Sequence, residues 1–299
     1  MLAIEMSEFG TPAVLKATRV DTPEVTPNQV LVQNHAIAID PYDVKFVAGM
    51  MGDQKLPVIP GSSVVGEVIA VGDKVTDYKV GDRVAASRHL KTYAEQVPVH
   101  QKHLAKVPDN ISDELAVASV LGAATGYEMI TAGLDVQPDQ NILITGAAGA
   151  VGSVAVQAAL LRGANVYALV RPNQAQRVEA LGNVTVIDAD SIPSDVTFDG
   201  ALNTITDDVT LERIAKQLSP NGKMLTLLPV PTSLENQENV QHAFASADGN
   251  ILANLLADMS ADKIHIAMAD TMPFNEKNLQ EAHRMMLEDH PQGKLVLTF

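Results

Sequence analysis

The sequence predicts a two-part α/β protein, a β-rich module joined to a doubly wound parallel sheet, on three observations. Residues 141–163 read NILITGAAGAVGSVAVQAALLRG, in the order apolar run, glycine and alanine turn, helical run. Further apolar runs at 166–170, 184–187, 201–205 and 224–228 are interleaved with helix-like segments such as 174–181, the pattern of a parallel sheet covered on both faces. Residues 1 to about 110 instead carry Val- and Ile-rich runs at 29–39, 64–71 and 80–86, punctuated by Gly, Asp and Pro, which reads as short strands joined by turns.

The glycine turn is the most informative stretch. Gly149 and Gly152 take the second and third places of a G-x-G-x-x-G pattern, with Ala147 at the first and Gly146 just before it. Residues without bulk are needed there because a pyrophosphate must reach backbone N–H groups at a helix N-terminus, where free donors and the helix dipole favour an anion. Gly146, Ala148, Gly149, Ala150, Val151 and Gly152 are therefore cofactor-binding candidates, with Asn203 in the later run 201–205. Two other readings compete. Residues 142–161 are twenty positions without a charge, long enough to span a membrane, but glycines cluster at one end and no basic flank precedes them. An ordinary buried strand and helix that binds nothing is the other.

The chain has 299 residues, enough for two domains. Its net charge of −15 disfavours nucleic acid and anionic membrane surfaces as partners, since both call for basic patches. It contains no cysteine, so disulfides and thiolate metal sites are excluded. The opening MLAIEMSEFG lacks the basic and apolar regions of a signal peptide, and the expected location is cytoplasmic.

Along the chain, VGDKV at 71–75 and VGDRV at 80–84 are near copies that read as turns between strands. Segments 113–119 and 123–132 read as alanine-rich helices, and 135–140 as a polar link into the glycine unit. A helix at 250–259, a strand at 264–268, a helix at 276–287 and a strand at 293–299 complete the chain, with the tail folding back on the first module. The domain boundaries read as 1–115 with 264–299, and 116–263.

LPVIPGSSVVGEV at 56–68, VGDRV at 80–84, AAGAVG at 147–152 and GKLVL at 293–297 together resemble the medium-chain dehydrogenase/reductase superfamily, and within it the zinc-free quinone and enone reductases. The resemblance implies a GroES-like β-barrel catalytic domain built from both chain ends, a Rossmann dinucleotide-binding domain between them, and a homodimer. It also implies hydride transfer from NADPH to a small-molecule quinone or to the β-carbon of an α,β-unsaturated carbonyl. Zinc-dependent relatives carry His-Glu where this chain has Ser62-Ser63, so no metal is expected. The stretch IDPYDVK at 39–45 is similar to the Asn-Pro-x-Asp-x-Lys segment of the enone reductases, with Asp40 in place of the asparagine and a cofactor-binding candidate by that likeness. Thr125, beside Gly126, is similar to a threonine that the family places near the nicotinamide.

Elementary chemistry supports part of this. Asp40, Pro41 and Asp43 fit the N-cap, first and third positions of a helix. Tyr42 and Lys45 then share a face. In the catalytic reading Lys45 stabilises negative charge developing on the substrate oxygen and Tyr42 donates to it; in the structural reading they are a surface lysine and a packed tyrosine. His100 and His103 are three apart but lie in a strand and loop with no third ligand, and His283 reads as a packing or surface residue. No acid follows the run 166–170, where an NAD-selective fold places one. Arg171 and then Arg177 occur there, and a guanidinium fork suits the 2′-phosphate of NADPH. A short-chain dehydrogenase would need Tyr-x-x-x-Lys after the turn, and none follows. A non-catalytic NADPH sensor is the alternative from another class.

Overall fold

The computed structural model describes residues 1–52 and 54–299; Asp53 lies outside the described residues, in the stretch 50–56, one of the loops that the family resemblance makes a candidate wall of the acceptor pocket. The chain divides into two compact units, residues 1–121, 247–262 and 266–299 in one, and 122–246 with 263–265 in the other.

The first unit opens with a two-stranded antiparallel pair, β1 (Leu2–Glu5) and β2 (Lys16–Arg19). Its main sheet is organised on β3 (Gln29–Ile39), which is long enough to pair with β4 (Ser63–Val71), with β6 (Gln96–His100) and with the last strand of the chain. The order continues through β5 (Arg83–Ser87) to β7 (Leu104–Lys106). Val30, Val32, Val64, Val68, Val84, Val97 and Val99 fill one core of this curled sheet. Two VGD segments form turns as their residue types require: Val75 N–H bonds Gly72 O at 3.0 Å, and Lys79 N–H bonds Asp82 Oδ2 at 3.1 Å. The second turn takes up part of the run expected at 80–86, so the strand begins only at Arg83.

Between β3 and β4 lies α1 (Pro41–Val47). Asp40 precedes it with extended backbone, Pro41 occupies its first turn, and Asp40 N–H donates to Asp43 Oδ2 at 3.1 Å. It ends in a Schellman arrangement, with Gly49 N–H on Phe46 O and Met50 N–H on Lys45 O, both at 2.9 Å. Val44, Phe46 and Val47 bury its inner face in a second core with Ile37, Ile39, Leu295 and Leu297. Truncating Leu297 to Ala in that core costs about 2–5 kcal/mol by analogy with other buried leucines.

Residues 113–133 are helical, as α2 (Asp113–Ala118) and α3 (Ala124–Glu128) with a wider π turn after each, so the two helices expected at 113–119 and 123–132 run together. By length and composition this stretch could cross a membrane, and 61% of its window is buried inside the protein. The stretch 142–161, the other span candidate, is broken by the turn into a strand and a 12-residue helix.

The second unit holds six parallel strands: β8 (Asn141–Thr145), β9 (Asn165–Leu169), β10 (Thr185–Ile187), β11 (Phe198–Asn203), β12 (Leu218–Thr226) and β13 (Val240–His242). Their order β10-β9-β8-β11-β12-β13 is the 3-2-1-4-5-6 order of a doubly wound dinucleotide-binding sheet. The connecting helices are α4 (Ala150–Leu161), α5 (Ala175–Glu179) and α6 (Asp208–Lys216). Leu143, Phe198, Ala201, Leu211, Ile214 and Met224 form the core on one face.

Two elements of the tail differ from expectation. The helix read at 250–259 is α7 (Gly249–Ser260), and it groups with the barrel unit and not with the parallel sheet: His103 Nδ1 meets Ala247 O at 2.6 Å, and Asn110 and Ser260 exchange two hydrogen bonds. The strand read at 264–268 is absent; β14 is Met268–Pro273, parallel to β15 (Lys294–Thr298), with α8 (Glu276–Glu288) between them. Ala269, Asp270 and Thr271 are exposed on this edge strand, so no apolar alternation marks its register.

Candidate functional site

The candidate residues fall in two groups, one in each unit. In the parallel-sheet unit, β8 ends at Thr145 and the chain turns through Gly146, at φ +59°, into α4. Gly152 is demanded by packing, since a Cβ there would lie 2.7 Å from Ala147 Cα. At Gly149 a Cβ would meet Gly146 O at 3.3 Å, a close contact with backbone and none with a side chain. Gly149 N–H bonds Gly146 O, and Ser153 N–H bonds Gly149 O, both at 2.9 Å. The amides of Ala148, Ala150, Val151 and Gly152 have no acceptor among the described residues. Four free donors at the start of a 12-residue helix fit an anion of the pyrophosphate kind.

Neighbouring residues hold this turn in place. Thr145 Oγ1 donates to Asn203 Oδ1 at 2.7 Å, Asn203 Nδ2 donates to Thr226 Oγ1 and Ile205 O at 3.0 Å, and Thr204 Oγ1 donates to Thr145 O at 2.8 Å. Asn203, expected on the cofactor, is 0% exposed and spends both ends of its amide on these strand ends. Its place is that of a brace beneath the turn. Gly126 lets α3 cross close over α4, where a Cβ would lie 3.1 Å from Val151 C, and this puts the half-buried Thr125 beside the first turn of α4. Thr145 and Leu169 are register partners, so Arg171 leaves the same edge of the sheet as the glycine turn. Arg171 is exposed and Arg177 half-buried, and neither guanidinium has a hydrogen-bond or ion-pair partner among the described residues.

The barrel unit contributes α1. Tyr42 is half-buried, stacks on Phe46 with centroids 6.5 Å apart, and shares a 3.0 Å hydrogen bond with Nδ1 of the exposed His89. Burial, and then the charge of Asp43, raise the Tyr42 pKa. Lys45 is exposed and unpaired among the described residues, so its ammonium is free to meet an anionic oxygen.

Beneath α1 lies a polar cluster that the sequence did not disclose. Lys294 stands next in register to the Leu295–Ile39 pair, which sets it opposite Asp40, and its Nζ pairs with Asp40 Oδ1. Asp40, a cofactor candidate by resemblance, is thus 1% exposed and turned inward onto a lysine. Ser62 Oγ donates to Asp43 Oδ1 at 2.5 Å, Tyr93 also faces Asp43, and Tyr93 Oη shares a 3.0 Å hydrogen bond with His283 Nε2. Burial and the neighbouring charge of Asp40 push the Asp43 carboxyl up to about 7, against the opposing pull of Ser62, the Asp40 amide and Lys294. Burial drives His283 down to about 4, which keeps it neutral at neutral pH, and raises Tyr93 well above its usual value. His283 is 0% exposed, which decides between the packing and surface readings in favour of packing.

Comparison with known proteins places these features in context. A family model described as the alcohol dehydrogenase GroES-like domain matches residues 26–130, and one described as zinc-binding dehydrogenase matches residues 181–297. The chain is 30% identical over 253 residues to the chloroplast envelope quinone oxidoreductase homolog of Arabidopsis thaliana, covering 78% of this chain and 77% of that protein. It is 27% identical over 318 residues to the chloroplastic NADPH-dependent alkenal/one oxidoreductase of the same plant, covering 99% of this chain and 79% of the relative. Among solved structures, the quinone oxidoreductase from Coxiella burnetii aligns with a TM-score of 0.87 at 25% identity, over 100% of this chain and 99% of that one. The zinc named in the second family description has no matching donor set here: the chain has no cysteine, Ser62 and Ser63 follow Pro60-Gly61, and no three His, Asp or Glu side chains come together among the described residues.

Proposed function

Because this chain belongs to the medium-chain dehydrogenase/reductase superfamily, among the quinone oxidoreductases, we propose that it is a metal-independent, NADPH-dependent reductase of quinones or α,β-unsaturated carbonyls. The observation that carries the reading is the glycine turn, with four unpaired amides at the start of α4 and the unpaired Arg171 guanidinium leaving the same end of the sheet. Those amides hold the pyrophosphate. Arg171, with Arg177 on α5, receives the 2′-phosphate, and Thr125 borders the bound dinucleotide. When bound, the nicotinamide supplies the hydride. Lys45 and Tyr42 act at the acceptor oxygen, which gains negative charge as the β-carbon is reduced: the ammonium lowers the energy of that charge and the hydroxyl donates to it. The relative named as an NADPH-dependent alkenal/one oxidoreductase supports both the cofactor and the acceptor class. Homodimer assembly and a cytoplasmic location are parts of the proposal that rest on family resemblance and composition.

The test is an oxidation screen of NADPH and NADH against quinones, linear enals and cyclic enones, with and without exhaustive chelation. The proposal expects turnover with at least one class, preference for NADPH, and no effect of the chelator. Tight NADPH binding without turnover in any class would leave the sensor reading in its place, and loss of activity on chelation would overturn the metal-free mechanism.

A further inference from the structure

Tyr42 poses a problem that the rest of α1 does not solve. Burial and the charge of Asp43 hold its pKa above the ordinary phenol value, so it rests with its proton on. If it gives that proton to a substrate oxygen, it becomes a tyrosinate in a setting that disfavours one, and the proton must be replaced before the next turnover. Among the described residues only one side chain lies within hydrogen-bond distance of its hydroxyl, the imidazole of His89 at 3.0 Å.

The protein commits structure to that contact. His89 follows directly on the β4–β5 ladder, where Arg88 N–H donates to Ser62 O at 2.9 Å as the next rung beyond Ser63–Ser87. The two residues after it, Leu90 and Lys91, have φ of +62° and +71°, a left-handed conformation that costs a non-glycine residue on the order of 1 kcal/mol or more. The turn is held there by Lys91 N–H on Ile59 O at 2.8 Å and by Arg88 Nε on Leu90 O at 3.1 Å. Edge-on contacts with Tyr42 and Phe46, at centroid distances of 5.9 and 6.5 Å, fix the plane of the imidazole. Ser62 then joins the two halves, since its carbonyl holds the His89 turn and its hydroxyl holds Asp43 on α1. His89 itself is exposed, so its outer nitrogen meets water.

We propose that His89 is a positioning and proton-relay residue, which orients the Tyr42 hydroxyl and returns a proton to it from solvent in each turnover. The inference rests on the reading of Tyr42 as the proton donor. As hydride forms the new C–H bond at the β-carbon, the C=C electron pair moves onto the carbonyl oxygen. The Tyr42 O–H bond breaks and its proton goes to that enolate. The His89 N–H bond on Nδ1 breaks in turn and restores Tyr42, while water supplies a proton to the outer nitrogen of the imidazole and is left as hydroxide; proton exchange of the exposed ring with water then returns it to the Nδ1–H tautomer before the next turnover. No electron leaves or enters the pair; the hydride and one proton account for the reduction.

The experiment compares His89→Phe, which keeps the ring packing, with Tyr42→Phe and the parent enzyme, using NADPH and the acceptor found in the screen. The relay predicts that H89F lowers kcat by about 10- to 100-fold and leaves the KM for NADPH unchanged, and that His89→Ala, which empties the space of the ring, is slow in the same way and regains activity when free imidazole is added. A loss in H89A that imidazole does not restore, or a loss in H89F that appears in KM and not in kcat, overturns the relay in favour of packing alone. If Y42F keeps full turnover, Tyr42 is not the donor and that reading fails; if Y42F is slow while H89F is as fast as the parent, only the relay fails. A readout independent of turnover is the ¹⁵N resonance of His89 Nδ1, which should shift in Y42F. An unchanged resonance would mean that the hydrogen bond is absent in solution and would overturn the proposal whatever the acceptor screen shows.

Discussion

The buried pair Asp43 and His283, joined through Tyr93, predicts a hidden cancellation in the dependence of stability on pH. Asp43 is 1% exposed and His283 0%, so solvent screening offers neither a discount. Asp43 moves from 3.8 to about 7 on folding, roughly three units or about 4 kcal/mol at ~1.4 kcal/mol per unit. Being raised, it keeps a proton in the folded chain that the unfolded chain has already released. Its contribution is therefore fully present below pH 3.8 and is lost as pH rises to about 7. His283 moves the other way, from 6.5 to about 4, worth about 3 kcal/mol. The unfolded imidazole binds a proton that the folded one refuses, so stability is lost as pH falls from 6.5 toward 4. Between about pH 4.5 and 6 the two slopes are equal and opposite, ~1.4 kcal/mol per pH unit each. Asp43→Asn removes the falling limb and His283→Phe the rising one. Equilibrium urea unfolding, followed by far-UV circular dichroism because the chain has no tryptophan, gives stability at each pH. Relative to the parent, D43N should gain about 2 kcal/mol from pH 4.5 to 6, H283F should lose about as much, and the double variant should run parallel to the parent. Subtracting the parent removes the slope common to the other carboxylates, and the constant cost of a broken hydrogen bond does not alter a slope. Differences that stay flat in both single variants, or that share a sign, would refute the assignment of buried proton sites.

Replacing Arg171 by Ala should raise the NADPH dissociation constant by one to two orders of magnitude, about 1.5–3 kcal/mol for a charge-assisted contact, and leave NADH almost untouched; titration of both cofactors by fluorescence checks this, and equal losses would mean that Arg171 supports the turn and does not read the phosphate. Lys45→Met should lower kcat about ten- to a thousandfold with NADPH affinity unchanged, since an interaction made mainly in the transition state appears in the rate; steady-state kinetics at saturating cofactor decides, and an unchanged rate returns Lys45 to the exposed surface.

What could be read from the sequence was local or periodic. The glycine turn, the parallel strands on either side of it and the start of α1 at Asp40-Pro41 each announce themselves within a few residues, because caps, turns and apolar runs act through near neighbours. The register of β14 was invisible for the converse reason: an exposed edge strand needs backbone partners on one side only and no apolar face. The grouping of α7 was equally unreadable, since an apolar helix carries no mark of which surface it will cover. Leu90 and Lys91 adopt left-handed backbone without glycine or asparagine, so no residue type signalled the turn that presents His89. Lys294 reaches Asp40 across 254 positions and His283 reaches Tyr93 across 190, and isolated polar residues of this kind look like surface until the fold closes over them.

Ser62 shows how a residue can be legible in one sense and opaque in another. In the sequence it registers only as a substitution, a hydroxyl where zinc-dependent relatives place an imidazole. In the structure the same residue, 3% exposed, ties α1 to the His89 turn through its two oxygens. A buried carboxyl such as Asp43, close to half-protonated near pH 7, needs a partner that serves both of its charge states. A serine hydroxyl can donate to the carboxylate and accept from the acid, and an alanine can do neither. The position where zinc-dependent relatives are expected to place an imidazole therefore holds, in this chain, a hydroxyl that can stay bonded to Asp43 whichever way that proton moves, while the backbone carbonyl of the same residue holds the His89 turn.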